Sequence, residues 1–340
     1  MRPVQHSWLR YIAWLLLVTT SLATSAVQAQ EATPSPAAIP DPQARDFGPV
    51  AARSPYRLAL LIPFPDDPFW QAVRSAVVER AERDGVTVDV LELAAPSVPE
   101  QVAQIESAVR AEYDGILLGP IDELGAVPGI EAANAAGVPV IAIDVAPAGG
   151  EVVSVVQTDD FAAARLAGDF IAEEIGGEGQ VLNLQGDLSS VVGQERDRGF
   201  REALSDIPEI SVISVTANWD ETEAFLEVRG RLPDPGTPVP DDELLSAVFA
   251  ANAPMALGAA QAVDEAEADE VVVVGFGLTT ETLTAIQRGR LTATVAEFPR
   301  RAGAIAVDLM VRHLNGEAVP SAVDSGSVIA TRENLSSIPR

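Results

Sequence analysis

The chain has 340 residues, of which 47% are hydrophobic and 21% are charged, a composition typical of a soluble globular protein and not of a disordered one. It contains no cysteine, which excludes disulfides, thiolate catalysis and a lipid-bearing cysteine. Its 50 acidic residues outnumber its 22 basic residues, all of them arginine, and the net charge of -28 repels nucleic acid and anionic membranes.

Residues 1–29 have the pattern of a secretory signal peptide. Arg2 and Arg10 precede the apolar run "YIAWLLLVTTSLA", and the small residues of "SAVQA" predict cleavage after Ala29 or Ala26. The apolar run is too short for a membrane span. We therefore expect export to the periplasm. Residues 30–55 are rich in proline and alanine without an apolar period, which predicts a flexible tether.

The first element after the tether is a strand followed by an unusual helix start. The strand "RLALLI" leads into "PFPDDPFWQAV", where Asp67 has the chemistry of an N-cap and Pro68 that of the first helical residue. Phe69 and Trp70 then lie on the first helical turn, at the carboxyl end of a strand, where open α/β sheets bind ligands. The alternative is that one or both rings belong to the core.

From there on, short apolar runs alternate with amphipathic helical runs. Helices are predicted over residues 69–84, 99–111, 127–136, 160–175, 194–205, 220–231, 254–267, 281–288 and 300–314. The runs that predict strands are "RLALLIP", "VTVDVLEL", "GILLGP", "VPVIAID", "EVVSVVQ", "QVLNLQG", "ISVISVT", "LSAVFAAN", "EVVVVGFG" and "LTATVAEF". This alternation predicts an α/β protein of two doubly wound parallel-sheet lobes, with a seam near Gln157–Asp160.

The chain is poor in groups that carry catalysis. Without cysteine and lysine it has no thiolate or Schiff-base chemistry. His6 lies in the signal, and His313 ends the last helix, where a cation complements the helix dipole. No G-x-S-x-G elbow or phosphate loop is present. A carboxylate-dependent hydrolase stays open through Asp66–Asp67 and Asp159–Asp160. We expect no enzyme, no metal and no cofactor.

Eight segments in order, between Tyr56 and Val328, resemble the ribose-type periplasmic sugar-binding proteins, which are the type I solute-binding proteins of ABC importers. The segments are "DDPFWQAVRSAVVERAERDGV", "GILLGPID", "AANAAGVPVIAID", "GEVVSVVQTDDFAAARLAGDFIAEEIGGEGQVLNLQG", "QERDRGFREAL", "VFAANAPMALGAAQAV", "VVVVGFG" and "LTATVAEFPRRAGAIAVDLMVRHLNGE".

The resemblance implies two lobes joined by a three-segment hinge. Carried onto this chain, the crossovers fall near Thr158, Glu297 and Ser325. The N-terminal lobe would comprise residues 56–158 plus 298–325, and the C-terminal lobe residues 159–297 plus 326–340. The lobes of this family close on a small ligand.

The same resemblance implies the residues that contact the ligand. Ring faces would pack on the C–H face of a sugar while carboxylates, an amide and a guanidinium bind its hydroxyl groups. The implied contacts are Asp67, Phe69, Trp70, Asp144, Arg196, Trp219, Asn252 and Glu297. Val145, Gly277 and Gly119 depart from the family pattern, which writes arginine, aspartate and a polar residue there, so ribose-type specificity is not implied.

We therefore expect a monomer that captures a small neutral polyhydroxy compound, a monosaccharide or sugar alcohol, and delivers it to an ABC permease. An anion would face Asp67, Asp144 and Glu297 with only Arg196 to offset them. A cationic or nucleoside-like ligand is the alternative, as is a sensor that signals to a membrane receptor. A DNA-binding regulator of related fold is set aside, because the signal stands where its DNA-binding helices would be.

Overall fold

A computed structural model describes residues 47–48, 50–234, 236–237 and 244–338. All of them belong to one compact unit, Pro40–Arg340. The signal predicted over residues 1–29 and most of the predicted tether lie outside the described residues. Within the described ranges no helix is long and apolar enough to cross a membrane.

The strands agree with the predicted ones and add two near the C-terminus. In chain order they are β1 (Arg57–Ile62), β2 (Thr87–Glu92), β3 (Gly115–Leu118), β4 (Val140–Ile143), β5 (Ser154–Gln157), β6 (Gly179–Gln185), β7 (Ile210–Thr216), β8 (Leu245–Ala250), β9 (Val272–Phe276), β10 (Ala293–Glu297), β11 (Ala322–Asp324) and β12 (Ser327–Thr331).

The helices also follow the prediction, within a few residues at their ends. They are α1 (Pro68–Asp84), α2 (Val98–Arg110), α3 (Val127–Ala135), α4 (Asp160–Glu174), α5 (Val191–Leu204), α6 (Glu221–Arg229), α7 (Ala253–Glu265), α8 (Thr280–Arg288) and α9 (Pro299–Leu314). The largest difference is at α5, which begins three residues earlier than predicted because the side chain of Ser190 accepts a hydrogen bond from the backbone of Gly193 and caps it there.

The strands form two six-stranded sheets, and the predicted pair of doubly wound α/β lobes is confirmed. The first sheet has the order β11-β5-β4-β3-β1-β2 and is parallel throughout. The second has the order β12-β10-β9-β8-β6-β7 and is parallel except for β12, which runs antiparallel to β10. We call the first sheet with α1, α2, α3 and α9 the first lobe, and the second sheet with α4 to α8 the second lobe.

Strand β1 illustrates why the sheets are covered on both faces. Its residues alternate between two cores: Leu58, Leu60 and Ile62 pack with α1 and α9, whereas Ala59 and Leu61 pack with α2 and α3. All five are buried. A strand buried on both faces has no polar side to alternate with its apolar one, and this gives the continuous apolar run seen in the sequence.

Three chain segments pass between the lobes and are hydrogen-bonded to one another. They follow β5, follow β10, and join β11 to β12. The backbone amide of Ser325 donates to the carbonyl of Gln157 at 2.8 Å, and the hydroxyl groups of Thr158 and Ser325 lie 3.3 Å apart. The side chain of Thr158 also hydrogen-bonds Glu297. The predicted three-segment hinge is therefore a single hydrogen-bonded bundle.

Candidate ligand-binding cleft

Arg196 lies at the centre of the polar residues between the lobes. It projects from α5, where its Nε donates to the Asp160 carboxylate at 2.7 Å and its Nη1 to the backbone carbonyl of Ala251 at 2.8 Å. Its guanidinium stacks on the Phe276 ring at 3.6 Å from the ring centroid. Three partners from three elements thus fix the guanidinium, and only 12% of the side chain is exposed.

Two of these partners, Asp160 and Phe276, were not among the predicted site residues. The sequence predicted the seam between the lobes near Gln157–Asp160. However, Asp160 is 36 residues from Arg196, and no local sequence pattern predicts that the two form an ion pair. Phe276 reads as an ordinary apolar residue of β9 and is buried. An aromatic face under a guanidinium is a contact that periodicity alone does not reveal.

Asp144 directly follows β4, and its carboxyl is influenced by charged groups of the second lobe. Its backbone lies in the left-handed region, with φ of 75°, which few residues other than glycine, asparagine and aspartate adopt. Burial, together with the nearby carboxylates of Glu297 and Asp160, raises the pKa of its carboxyl to about 8 against the opposing effect of Arg196. The first lobe therefore brings Asp144 close to charged residues of the second.

Glu297 is the last residue of β10, at the point where the chain leaves the second sheet toward α9 of the first lobe. Burial raises the pKa of its carboxyl, with Arg196 and Thr158 acting in the opposite direction. The Nη2 atom of Arg196 is 3.8 Å from its Oε1, which is an ion pair without a hydrogen bond. The side chain of Glu297 thus keeps 16% of its surface exposed.

The predicted site residue Asp67 lies near Asp144 and Glu297. One of its carboxylate oxygens is already hydrogen-bonded within the protein. As predicted, Asp67 is the N-cap of α1: its Oδ1 accepts a hydrogen bond from the backbone of Phe69 at 2.7 Å. It is exposed, and its charge acts on both Asp144 and Glu297. The carboxylates of Asp144, Asp160 and Glu297 therefore lie near the Arg196 guanidinium, and Asp67 lies near Asp144 and Glu297.

The two aromatic residues on the first turn of α1 differ in burial. Trp70 is only 3% exposed and packs in the core of the first lobe, with its ring edge against Gly119, where an added Cβ would lie 2.2 Å from the ring. Phe69 is half-buried and meets Trp70 edge to face, with ring centroids 5.4 Å apart. Phe69 is therefore the more exposed of the two rings, and Trp70 is a core residue that packs against it.

Trp219 is the corresponding ring of the second lobe. It is half-buried, its backbone has a φ of 65°, and its ring lies on Gly186 so closely that a Cβ there would be 2.1 Å away. Its ring centroid is 5.9 Å from the Arg196 guanidinium. A bulky residue with positive φ is rare, and such strain is found where a side chain is held for a function.

Asn252 holds this strained segment in place. Its Oδ1 accepts a hydrogen bond from the backbone of Met255 at 2.9 Å and caps α7, and its Nδ2 donates to the carbonyl of Trp219 at 3.1 Å. Both ends of the predicted ligand-binding amide are therefore engaged within the protein. The structure assigns Asn252 first to the positioning of Trp219.

Gly277 has a conformational reason to be glycine. Its φ is 98°, and its carbonyl accepts hydrogen bonds from the hydroxyl groups of Thr282 and Thr294 at 3.0 and 3.1 Å. The loop is thus fixed in a backbone conformation that glycine adopts without cost. The other departure, Val145, is half-buried and follows Asp144 directly, so it adds apolar surface beside that carboxyl.

The arrangement is suited to binding. It combines half-buried rings from each lobe with carboxylates able to accept several hydrogen bonds, as a polyhydroxy compound requires. In the described part of the chain, no group of three or more histidine, cysteine, aspartate or glutamate side chains is placed to hold a metal ion.

Comparisons with known proteins show the family to which the chain belongs. Residues 58–318 match the family described as periplasmic binding protein domain. The chain is 30% identical over 262 residues to the ribose import binding protein of Salmonella typhimurium, covering 77% of this chain and 86% of that one. It is 30% identical over 271 residues to the D-allose-binding periplasmic protein of Escherichia coli, covering 75% and 83%. A solved structure, an ABC transporter periplasmic solute binding protein from Actinobacillus succinogenes with bound D-allose, matches with a TM-score of 0.74 and 26% identity, covering 83% of this chain and 100% of that one.

Proposed function

We propose that this chain, which belongs to the periplasmic binding protein family, captures a small neutral polyhydroxy compound between its lobes and delivers it to an ABC importer. The observation that carries the proposal is the meeting of Asp144 from the first lobe with Glu297, Asp160 and Arg196 of the second. Such a site is complete only when both lobes contribute.

The chemistry of the cleft favours a monosaccharide or a sugar alcohol. The carboxylates of Asp144 and Glu297 accept hydrogen bonds from hydroxyl groups, and charge-assisted hydrogen bonds of this kind are about twice as strong as neutral ones. Phe69 and Trp219 offer apolar faces to the C–H side of the ligand. An anionic sugar would add negative charge to a cleft whose single guanidinium is already paired with Asp160.

The proposed action is binding and release of an unchanged ligand. The relatives with ribose and D-allose in their names are binding proteins of this kind. In this chain, Asp160 is bound to Arg196 and Asn252 to Trp219, so these polar groups hold the cleft in shape and are not free for proton transfer.

Closure of the lobes about the hinge is part of the proposal, with the lobes comprising residues 56–158 plus 298–325 and 159–297 plus 326–340. The sheet membership of the strands supports this division, since β11 ends at Asp324 in one sheet and β12 begins at Ser327 in the other. The partner would be a permease in the inner membrane, and the exported protein would act as a monomer in the periplasm.

Titration calorimetry of the protein from residue 30 onward tests the ligand class. The panel would contain pentoses, hexoses, deoxy-sugars and sugar alcohols, with uronic acids and sugar phosphates as charged counterparts. We expect one neutral member to bind with a 1:1 stoichiometry and to be recovered unchanged, as followed by NMR. Binding of a uronic acid or a sugar phosphate alone, or turnover of a glycoside, would contradict the proposal.

A further inference from the structure

We propose that the cleft binds an amino-substituted sugar or polyol, which carries one ammonium group, more tightly than the neutral parent compound. This inference rests on the proposed function, because it concerns the same cleft, and it goes further by assigning a charge preference. It is argued from which charged groups in the cleft already have partners and which do not.

Arg196 is the basic residue among the cleft groups, and its charge is already compensated. Asp160 accepts from its Nε at 2.7 Å, the carbonyl of Ala251 accepts from its Nη1 at 2.8 Å, and Phe276 covers one face of the guanidinium. Asp160 and Arg196 thus form a neutral pair buried among protein groups, with 17% and 12% of their side chains exposed. Within the described ranges, this pair leaves Asp67 and Asp144 without an ion-pair partner, and Glu297 with only the 3.8 Å contact to the Nη2 atom of the already paired Arg196.

Asp144 is the least compensated of the three. Among the described residues none donates a hydrogen bond to the carboxyl of Asp144. In contrast, the carboxylate of Asp67 caps α1, and that of Glu297 is hydrogen-bonded to Thr158. Its charged neighbours are Glu297, Asp160, Arg196 and Asp67, so three acids and one base face it. Burial and these acids raise its pKa to about 8. The cleft therefore lacks one positive charge beside Asp144.

An ammonium group supplies what a hydroxyl group cannot. Both donate hydrogen bonds to carboxylates, but only the ammonium also adds a positive charge beside Glu297 and Asp144, so that Asp144 can release to solvent the proton that its raised pKa retains. Ion-paired hydrogen bonds in a half-buried cleft are stronger than neutral ones. The rings add a second, independent contribution. Phe69 and Trp219 are half-buried, one on each lobe, and an aromatic face attracts a cation placed over it.

Matched pairs of compounds test the inference by calorimetry at pH 6.5 in 0.15 M salt. The pairs are D-glucose and D-glucosamine, D-galactose and D-galactosamine, and D-sorbitol and 1-amino-1-deoxy-D-sorbitol, with the N-acetyl derivatives as uncharged compounds of larger size. In the pair whose neutral member binds, we expect the amino compound to bind at least about tenfold tighter, which is about 1.4 kcal/mol. The N-acetyl derivative should show no such gain.

Substitutions then tell whether the preference arises in the cleft. Asp144→Asn and Glu297→Gln should each lower the affinity ratio of the amino compound to its neutral parent toward one, whatever their effect on either affinity alone. Glu174→Gln is the matched control, because Glu174 is exposed at the far end of α4 and its loss changes the net charge equally. Its ratio should equal that of the unmodified protein.

The outcomes separate this inference from the proposed function. Binding of a neutral member with equal or weaker binding of its amino partner would overturn the inference and leave the proposed function standing. A ratio that Glu174→Gln lowers as much as Asp144→Asn would also overturn it, since the preference would then come from the overall charge. Binding of an amino compound alone would support the inference and contradict the neutral ligand class. Binding of no compound from any pair would contradict both.

Discussion

The carboxylate of Glu123, in the first lobe, accepts a hydrogen bond of 3.2 Å from the backbone amide of Val191, in the second lobe. Val191 is the first residue of α5, so the carboxylate also lies at the positive end of that helix dipole. The carbonyl of Glu123 accepts from the amide of Ala148 at 2.6 Å, which anchors its loop to the first lobe. This contact lies away from the three hinge segments and bridges the lobes at the side of the cleft.

Loss of this contact should shorten the lifetime of the ligand complex. Glu123→Ala removes a hydrogen bond that exists only while the lobes are together, so we expect binding about three- to tenfold weaker, with most of the change in the dissociation rate. Stopped-flow tryptophan fluorescence measures both rates. Glu131→Ala, at an exposed position of α3 in the same lobe, is the control. An unchanged dissociation rate for Glu123→Ala would mean that the contact contributes nothing to closure.

The two tryptophans that remain after removal of the predicted signal should respond to different measurements. Trp219 is half-buried in the cleft, and Trp219→Ala should weaken binding by about 1–3 kcal/mol while the protein stays folded. Trp70 is 3% exposed in the core, and Trp70→Ala should lower the free energy of unfolding by about 3–5 kcal/mol. Calorimetry and urea denaturation of both variants check the two claims. Native affinity in Trp219→Ala would show that this ring does not contact the ligand.

Gly186 should control the position of the Trp219 ring. A Cβ at Gly186 would lie 2.1 Å from the ring, so Gly186→Ala forces the indole out of place and should weaken binding at least about tenfold with little loss of stability, since the ring is half-buried and free to move outward. Gly230→Ala is the control, because Gly230 has a right-handed helical backbone and meets only the Leu226 carbonyl at 3.2 Å. A Gly186→Ala protein with unchanged affinity and fluorescence would contradict the assignment of Trp219 to the cleft.

The stability of the ligand-free protein should fall as the pH rises from about 4 to about 8. The pKa of Asp144 in the folded protein, about 8, lies above its ordinary value of 3.8. The folded state therefore holds a proton that the unfolded chain has released, and this contribution, complete below pH 4, is lost as the pH rises through 8. The slope for one such group is at most about 1.4 kcal/mol per pH unit.

Asp144→Asn should flatten this dependence and raise stability at pH 9 by about 1–3 kcal/mol, since asparagine tolerates the positive φ and carries no charge. Burial also raises the pKa of Asp308, to about 6, so part of the slope between pH 4 and 6 should remain in the variant. Asp169→Asn removes the same charge at an exposed position of α4 and controls for net charge. Equal slopes for Asp144→Asn and the unmodified protein, by urea denaturation, would contradict the burial of a charged Asp144.

The fold could be predicted almost completely from the sequence, because helix caps and apolar runs are local features of the chain. Asp67 and Pro68 predicted the start of α1, and the apolar run of β1 predicted a strand buried on both faces, and both predictions are confirmed. β11 and β12 were missed because they are short edge strands with only one or two fully buried residues each, so they lack the continuous apolar run of the others.

The cleft was predicted less fully because its contacts are not local. Arg196 contacts Asp160 and Phe276, which are far from it in sequence, and no local sequence pattern predicts these contacts. Likewise, an asparagine that caps α7 looks the same in sequence as one that binds a ligand, and only the hydrogen bond to Trp219 distinguishes them. The resemblance implied Arg196, Trp219 and Asn252, and the structure adds the residues that hold them in place.

The late position of β11 and β12 constrains when the protein can fold. Both strands come from the residues after Pro320, and they complete sheets that belong to different lobes. Until residues 322–331 have been made, β5 and β10 each lack their outer neighbour in the sheet and present an open edge that invites pairing with other chains. Neither lobe can complete its sheet before these residues are made, so both acquire their last strand at the same stage of synthesis. A chain truncated just before Ala322 should therefore be prone to aggregation through both sheets at once.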